Sequence, residues 1–317
     1  MKAPFPYFGG KRRAAGLVWD LLGDPGGYVE PFAGSAAVLL ARPAHEGRRV
    51  ETINDADGWL VNAWRAIRLA PDAVAAHAWG PVTEIDYHAR LAWLHERRDD
   101  RLVAWLEGDP ENHDAKAAGW WLYVLACGIG DPFGGGPWRV IDGHLTDTRE
   151  LPHLGDAGQG VNRELPHLGD AGQESLAAYL RSLTHRIQRV RITCGDWRRV
   201  VQPSVTRATA GNSIRAVFLD PPYATSGDLY AHGDADGTLP AAAREWAAEA
   251  ATDDPDLRIV LCGYDGEHDD LLDRGWTVRQ GKSTTGAGYS KLGAASGQRE
   301  RLWASPSCNT DQGVLFA

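Results

Sequence analysis

Apolar and polar positions divide the chain into three stretches with different periodicities. In the first, residues 27–32 read as a short strand. It is followed by the small-residue turn Ala33-Gly34-Ser35 and a helical stretch at 36–41. A second strand is predicted at 50–55, ending in Asp55. The helix predicted at 59–69 carries Leu60, Ala63, Trp64 and Ile67 on one face. From Pro71 to about Cys127 the pattern is helical and rich in Ala and Trp, with no strand between the helices. A Gly/Pro segment at 128–138 follows, containing Gly134-Gly135-Gly136-Pro137. In the third stretch helices and strands alternate again. Helices are predicted at 175–187 and 241–251, and strands at 189–193, 215–219 and 258–262. The runs at 276–279 and 299–303 read as a closing hairpin.

This alternation predicts one α/β sheet of about seven strands, with helices on both faces and an insertion between the second and third strands. The strand–turn–helix opening, with an acid ending the second strand, is the start of a nucleotide-binding α/β fold: the turn admits a ligand to the backbone and the acid reaches a ribose. The division expected is a first catalytic segment at 1–69, an inserted region at 70–173 and a second catalytic segment at 174–317. Within the insertion, the eleven residues 149–159 recur unchanged as 163–173. Their Pro, Gly and Asp favour turns, so an extended surface loop is expected there. Arg149 and Arg163 on such turns suit guanine or phosphate, against the plainer alternative of a solvated loop.

Composition narrows the class. Hydrophobic content of 43% and charged content of 24% over 317 residues are those of a soluble globular protein. No apolar run is long enough to span a bilayer, and residues 1–6 have no apolar core of a signal peptide. A cytoplasmic protein, monomeric or weakly dimeric, with no membrane partner, is expected. Cys127, Cys194, Cys262 and Cys308 are widely spaced, which argues against a zinc knuckle or a disulfide framework. The histidines His144, His153 and His167 are read as turn-borne surface residues, and no metal is expected.

The net charge of −9 argues mildly against nucleic acid. Its distribution argues the other way. Lys11-Arg12-Arg13 is basic, and Arg181, Arg186, Arg189, Arg191, Arg198, Arg199 and Arg207 are opposed only by Asp196. A basic face on an acidic body is compatible with DNA.

The richest chemistry lies at Asp220-Pro221-Pro222-Tyr223, directly after the apolar strand. Two prolines fix φ twice and remove two backbone donors. The Pro221 carbonyl is then free of any helix, close to a carboxylate and a phenol. Asp220 and that carbonyl can accept both N–H bonds of a planar amine, with Tyr223 over its ring. The structural alternative is an ordinary Pro-Pro strand exit. Gly9-Gly10-Lys11 is not a phosphate-binding P-loop, because Phe5 stands where its first Gly belongs and Arg12 where Ser/Thr belongs. Residues 30–36 do not fit a dinucleotide fingerprint.

Four segments occur in order: Phe5-Pro6-Tyr7-Phe8-Gly9-Gly10-Lys11, Glu30-Pro31-Phe32-Ala33-Gly34-Ser35, Asn54-Asp55, and Asp220-Pro221-Pro222-Tyr223. In motif and order the chain resembles the Dam-like class of DNA adenine-N6 methyltransferases, which includes phage-borne forms. The resemblance covers the two catalytic segments, about two thirds of the chain. It implies a Rossmann-like methyltransferase sheet with an inserted, mostly helical and loop target-recognition domain. It implies S-adenosylmethionine as cofactor and double-stranded DNA as partner, in a bacterial or phage-infected cell. Self-protection, restriction–modification and phage counter-defence are the settings open to such an enzyme.

By the same resemblance, Tyr7 and Lys11 contact the cofactor, and Glu30, Phe32 and Gly34 surround its methionine and ribose parts. Asp55 holds the ribose hydroxyls, and Asp196 accepts from the adenine amine. Asp220 and the Pro221 carbonyl, presented by Pro221-Pro222, bind the target amine, with Tyr223 stacked on the flipped base. Ala36 stands where the class has the last Gly of its Phe-x-Gly-x-Gly turn; its methyl is accommodated if φ stays negative. Residues 70–173 offer no match that identifies a target sequence. Cytosine-N4 enzymes commonly have Ser at the position of Asp220, and RNA or protein-amide enzymes Asn, so adenine is favoured. A catalytically silent DNA-binding module on the same fold is disfavoured by the joint presence of Tyr7, Lys11, Asp55, Asp220 and Tyr223.

Overall fold

The apolar strand runs of the sequence pair into one seven-stranded sheet. In the computed structural model, the residues described are 1–5, 7, 11–44, 47, 49–97, 101–128, 138–141, 144–147, 172–206, 213–222, 238–280 and 300–309. The sheet strands are β1 (Gly27–Glu30), β2 (Val50–Asp55), β5 (Val190–Cys194), β6 (Arg215–Leu219), β7 (Leu257–Tyr264), β8 (Thr277–Gln280) and β9 (Glu300–Ala304). Their spatial order is β5-β2-β1-β6-β7-β9-β8. The first five pair in parallel, and β9 enters antiparallel between β7 and β8. A separate two-stranded sheet pairs β3 (Trp138–Ile141) with β4 (His144–Asp147), just after the predicted Gly/Pro segment, where no strand was anticipated.

This is a mixed α/β fold with a mostly parallel sheet, compatible with a Rossmann-like architecture. The antiparallel β9 departs from the 3-2-1-4-5-6 order of dinucleotide-binding sheets. The chain builds outward from β1 through β2 to β5, then returns to the other side of β1 with β6 and β7. The order therefore reverses between β1 and β6. Ligands of open α/β sheets bind in the crevice at the carboxyl ends of such a pair.

Both faces of the sheet are covered, which is why its central strands read as continuous apolar runs. Alternate residues enter different cores: Ala216, Phe218, Val260 and Cys262 lie in one, Val217, Leu219, Ile259 and Leu261 in the other. The second core is closed by α10 (Leu239–Asp253), which contributes Ala243, Ala247 and Ala248. The first is closed by α1 (Ala15–Leu22), α2 (Ala37–Leu40), α3 (Gly58–Leu69) and α8 (Gly172–Ile187).

Helix α4 (Pro71–Ala78) packs on α3 and α8, α7 (Ala115–Cys127) on α3 and α4, and α5 (Glu84–Glu96) on α7; they share that core through Val74, Leu91, Trp121 and Leu122. Their starts carry local signals: Pro71 opens α4, Thr83 caps α5 and Asp114 caps α7. Gly119 permits the close approach of α7 to α4, since a Cβ there would stand 2.7 Å from the Val74 carbonyl oxygen. A short α6 (Arg101–Gly108) and a four-residue α9 (Pro203–Thr206) complete the helices named. Among the described residues no helix is long and apolar enough to cross a membrane.

Candidate functional site

A cavity of about 290 Å³ opens at the carboxyl ends of β5, β2, β1 and β6. It is lined by Tyr7 and Lys11 from the N-terminal segment, Glu30, Phe32 and Gly34 after β1, Asp55 ending β2, Asp196 after β5, and Asp220 and Pro222 after β6. Segments far apart in sequence are thus gathered by the topology. Pro221 is buried beside the rim, and Tyr223 lies outside the described residues, as do Pro6, Phe8, Gly9, Gly10, Arg207 and residues 149–171 of the duplicated stretch.

The N-terminal segment is placed by an aromatic anchor. Phe5 is buried, with its ring centroid 4.7 Å from that of Trp121 on α7 and 5.8 Å from that of Trp64 on α3. Tyr7 is thereby set over the turn after β1, so closely that a Cβ on Gly34 would stand 2.6 Å from its ring. Gly34 has φ +48°, so both space and backbone demand glycine.

At Ala36 the condition of a negative φ is not met: φ is +51°, the left-handed region. The turn is over-determined. Ala36 N–H donates to the Ala33 carbonyl at 2.7 Å, and its own carbonyl accepts from Leu40 N–H at 2.9 Å, opening α2. The chain keeps the glycine conformation with an alanine, at a cost of about 1–2 kcal/mol.

Asn54 ties three strand exits together. Its Nδ2 donates to the Pro31 carbonyl at 3.0 Å and the Gly195 carbonyl at 2.9 Å, while its Oδ1 accepts from Thr193 Oγ1 at 2.9 Å. Asp55 is held by backbone amides: Oδ2 accepts from Gly34 N–H at 2.9 Å and Oδ1 from Asp57 N–H at 3.0 Å. Asp57 in turn caps α3 through Trp59 N–H at 2.8 Å. Asp196 sits on the outer rim with its side chain about half exposed (51%), accepting from Arg198 N–H at 2.7 Å and paired to the Arg198 guanidinium at 3.2 Å. Trp197 and Phe32, with ring centroids 5.7 Å apart, form an apolar wall of the cavity.

Two carboxylates at the inner end differ. Glu30 is buried; its Oε2 accepts from Tyr28 Oη at 3.0 Å and Leu39 N–H at 3.1 Å. Burial outweighs these bonds and pushes its pKa up to about 8. Asp220 instead meets Lys11, whose Nζ is 2.9 Å from Oδ1, and the same ammonium lies 3.4 Å from Glu300 Oε1. Lys11 is only 5% exposed.

Sequence reasoning had Lys11 and Asp220 in separate roles, and the tertiary structure joins them. It also missed Asn54 as a clasp, Trp197 as a wall and Glu300 as a partner. Asn54 stood next to a chosen residue and Trp197 within a chosen segment, so position was a signal for both. Nothing local singled out Glu300. Of the basic stretch, Arg181 pairs with Asp72 and Arg186 with the buried Glu51, so these two serve contacts within the protein. Among the described residues no group of three His, Cys, Asp or Glu is placed to hold a metal ion.

The arrangement can hold a ligand that carries hydroxyls or amines toward Asp55 and Asp196, an apolar or flat part against Phe32 and Trp197, and a cationic part near Glu30. Asp220 then faces a second molecule entering at the β6 end. No protein-family model matches this chain, and no curated protein is significantly similar to it.

Proposed function

We propose that the protein is a DNA adenine-N6 methyltransferase using S-adenosylmethionine. The observation that carries this reading is the cavity itself. Described residues of four segments dispersed in the sequence, Tyr7 and Lys11, Glu30 to Ser35, Asn54-Asp55, and Asp220 with Pro222, meet at one topological switch point. The donor set fits the cofactor. Asp55, fixed by two backbone amides, offers a carboxylate to ribose hydroxyls. Tyr7 over Gly34 leaves a close-fitting cradle at the turn. Phe32 and Trp197 give a flat base an apolar wall. When bound there, S-adenosylmethionine supplies a methyl group on a sulfonium, which leaves as a neutral thioether.

The chain's own contribution is orientation and charge. Placing the amine nitrogen in line with the methyl group is catalysis by positioning. An exocyclic adenine nitrogen is a poor nucleophile because its lone pair is delocalised into the ring. Asp220 and the Pro221 carbonyl, accepting its two N–H bonds, favour a more tetrahedral nitrogen and stabilise the positive charge that develops there. The base must leave the duplex at a cost of roughly a few kcal/mol. By the family resemblance Tyr223 stacks on it, and base–aromatic stacking returns about 1–3 kcal/mol. In this reading α4–α7, β3–β4 and the duplicated stretch belong to the target-recognition insertion.

The test is direct. Purified protein, S-adenosylmethionine and unmethylated duplex DNA, without added metal, should yield N6-methyladenine by mass spectrometry of digested DNA. Methyl groups found only on cytosine, only on RNA, or on nothing would overturn the reading.

A further inference from the structure

We infer that Glu300 is a positioning residue of this site, acting through Lys11 on Asp220. The inference rests on the reading of Asp220 as acceptor of the target amine.

Glu300 reaches the site because β9 is antiparallel. The parallel strands bring their last residues to the rim, and an antiparallel strand brings its first. Glu300 opens β9 opposite Tyr264, the last residue of β7. From there its carboxylate lies 3.4 Å from Lys11 Nζ, on an ammonium already 2.9 Å from Asp220. An ammonium withdrawn from water needs a partner charge, and Asp220 alone supplies one.

The second carboxylate changes the balance. With Asp220 alone, the pair is neutral, and positive charge developing on the target nitrogen would meet a carboxylate already compensated. With Glu300, the one ammonium is shared between two carboxylates, so it compensates Asp220 less fully. Two other titratable groups near Asp220 add little negative charge. Glu30, at the end of β1, is pushed up to about 8 by burial and is mostly protonated at neutral pH. Cys262 on β7 is fully buried, and burial followed by the Asp220 charge pushes its thiol well above the usual value. Glu300 is not among the residues lining the cavity, so it reaches the cofactor only through Lys11.

The experiment compares wild type with Glu300→Gln and Glu300→Asp in the full chain. Three measurements are made: calorimetric titration with S-adenosylmethionine, single-turnover methyl transfer to duplex DNA across pH, and NMR titration of the Lys11 ammonium, assigned with Lys11→Arg. Glu300→Gln should bind the cofactor within a few-fold of wild type and titrate Lys11 at lower pH. Its transfer rate should fall on the order of 10- to 100-fold, the scale on which a unit charge acts across a few side chains at an effective dielectric of about 20. Glu300→Asp, which keeps the charge, should recover most of the rate, a rescue that a purely structural role does not require. An unchanged Lys11 titration in Glu300→Gln, or a rate within twofold of an active wild type, overturns the inference. If wild type transfers methyl groups to no base, the functional reading falls instead, and the Lys11 titration alone decides whether Glu300 holds the ammonium. If Glu300→Gln does not fold, Glu300→Asp decides: a wild-type Lys11 titration and rate support the charge role, and loss of both despite cofactor binding overturns it.

Discussion

The ends of β1 and β6 are neighbours in the sheet, and each presents a carboxyl group to the same cavity, yet the two acids are held in opposite ways. Glu30 is buried with a phenol and a backbone amide as partners and no cation paired to it among the described residues, so its neutral form is favoured. Asp220 has the Lys11 ammonium at 2.9 Å, which favours its ionised form. Neighbouring acids can thus be assigned different work by what surrounds them, one as a charge-responsive wall and the other as a fixed acceptor. The difference follows from which element arrives on each side: α2 closes over Glu30 with an N–H, and the N-terminal segment delivers Lys11 to Asp220.

The largest expected effect breaks the Asp220 side. Asp220→Ala should lower methyl transfer by about 10²–10³-fold, by analogy with losing one preorganised group at an oxyanion hole, with cofactor binding largely kept. Single-turnover kinetics read this, and a rate within a few-fold of wild type would remove Asp220 from the mechanism.

The Glu30 side is tested by pH. An acid whose folded pKa is raised binds a proton in the folded state that the unfolded chain has released. Its contribution to stability is therefore fully present below about 4.5 and lost as pH rises to about 8. Glu30→Gln should remove this slope, so that the variant gains on wild type by a few kcal/mol between pH 5 and pH 9. Denaturant unfolding at several pH values checks it. In wild type, a cationic ligand group beside Glu30 should release a proton on binding, so cofactor affinity should rise with pH through the same window, by calorimetry.

Asp55 offers a sharper intermediate case, since two backbone amides hold its carboxylate. Asp55→Ala should weaken S-adenosylmethionine binding by about 1–3 kcal/mol, the worth of hydrogen bonds to a charged group, and leave DNA binding nearly unchanged. An unaltered dissociation constant for the cofactor would dismiss its ribose role.

The smallest effect is at the turn between them. Ala36→Gly relieves a left-handed alanine, worth about 1–2 kcal/mol, but frees the unfolded chain by about 0.4–1 kcal/mol. A net stabilisation of up to about 1.6 kcal/mol is expected by chemical denaturation, and a destabilised variant would show that the left-handed alanine carries no strain.

Much of the fold was legible because parallel strands buried on both faces leave apolar runs that no loop imitates. The runs ending at Asp55 and Leu219 coincide with β2 and β6. The closing hairpin was legible as two runs, but its insertion beside β7 was not, since pairing partners leave no mark on short strands. The helix after Ser35 is shorter than the sequence pattern suggested, only Ala37–Leu40, because the preceding left-handed residue delays its start. The Ala36 conformation could not be read at all: alanine favours negative φ locally, and only the bonds of the folded turn force the other sign.

By itself the sequence determined that Asp55 ends the second strand and that Asp220 follows an apolar one, whereas the first strand stops at Glu30, two residues before its predicted end. The tertiary structure alone decided what charge each acid meets. Lys11, Asp220 and Glu300 belong to three distant segments, and their meeting depends on the order of β6, β7 and β9 and on Phe5 seating between Trp64 and Trp121. Local propensity acts over a few residues, whereas Coulomb interaction and desolvation depend on distance in space, which only the completed fold sets.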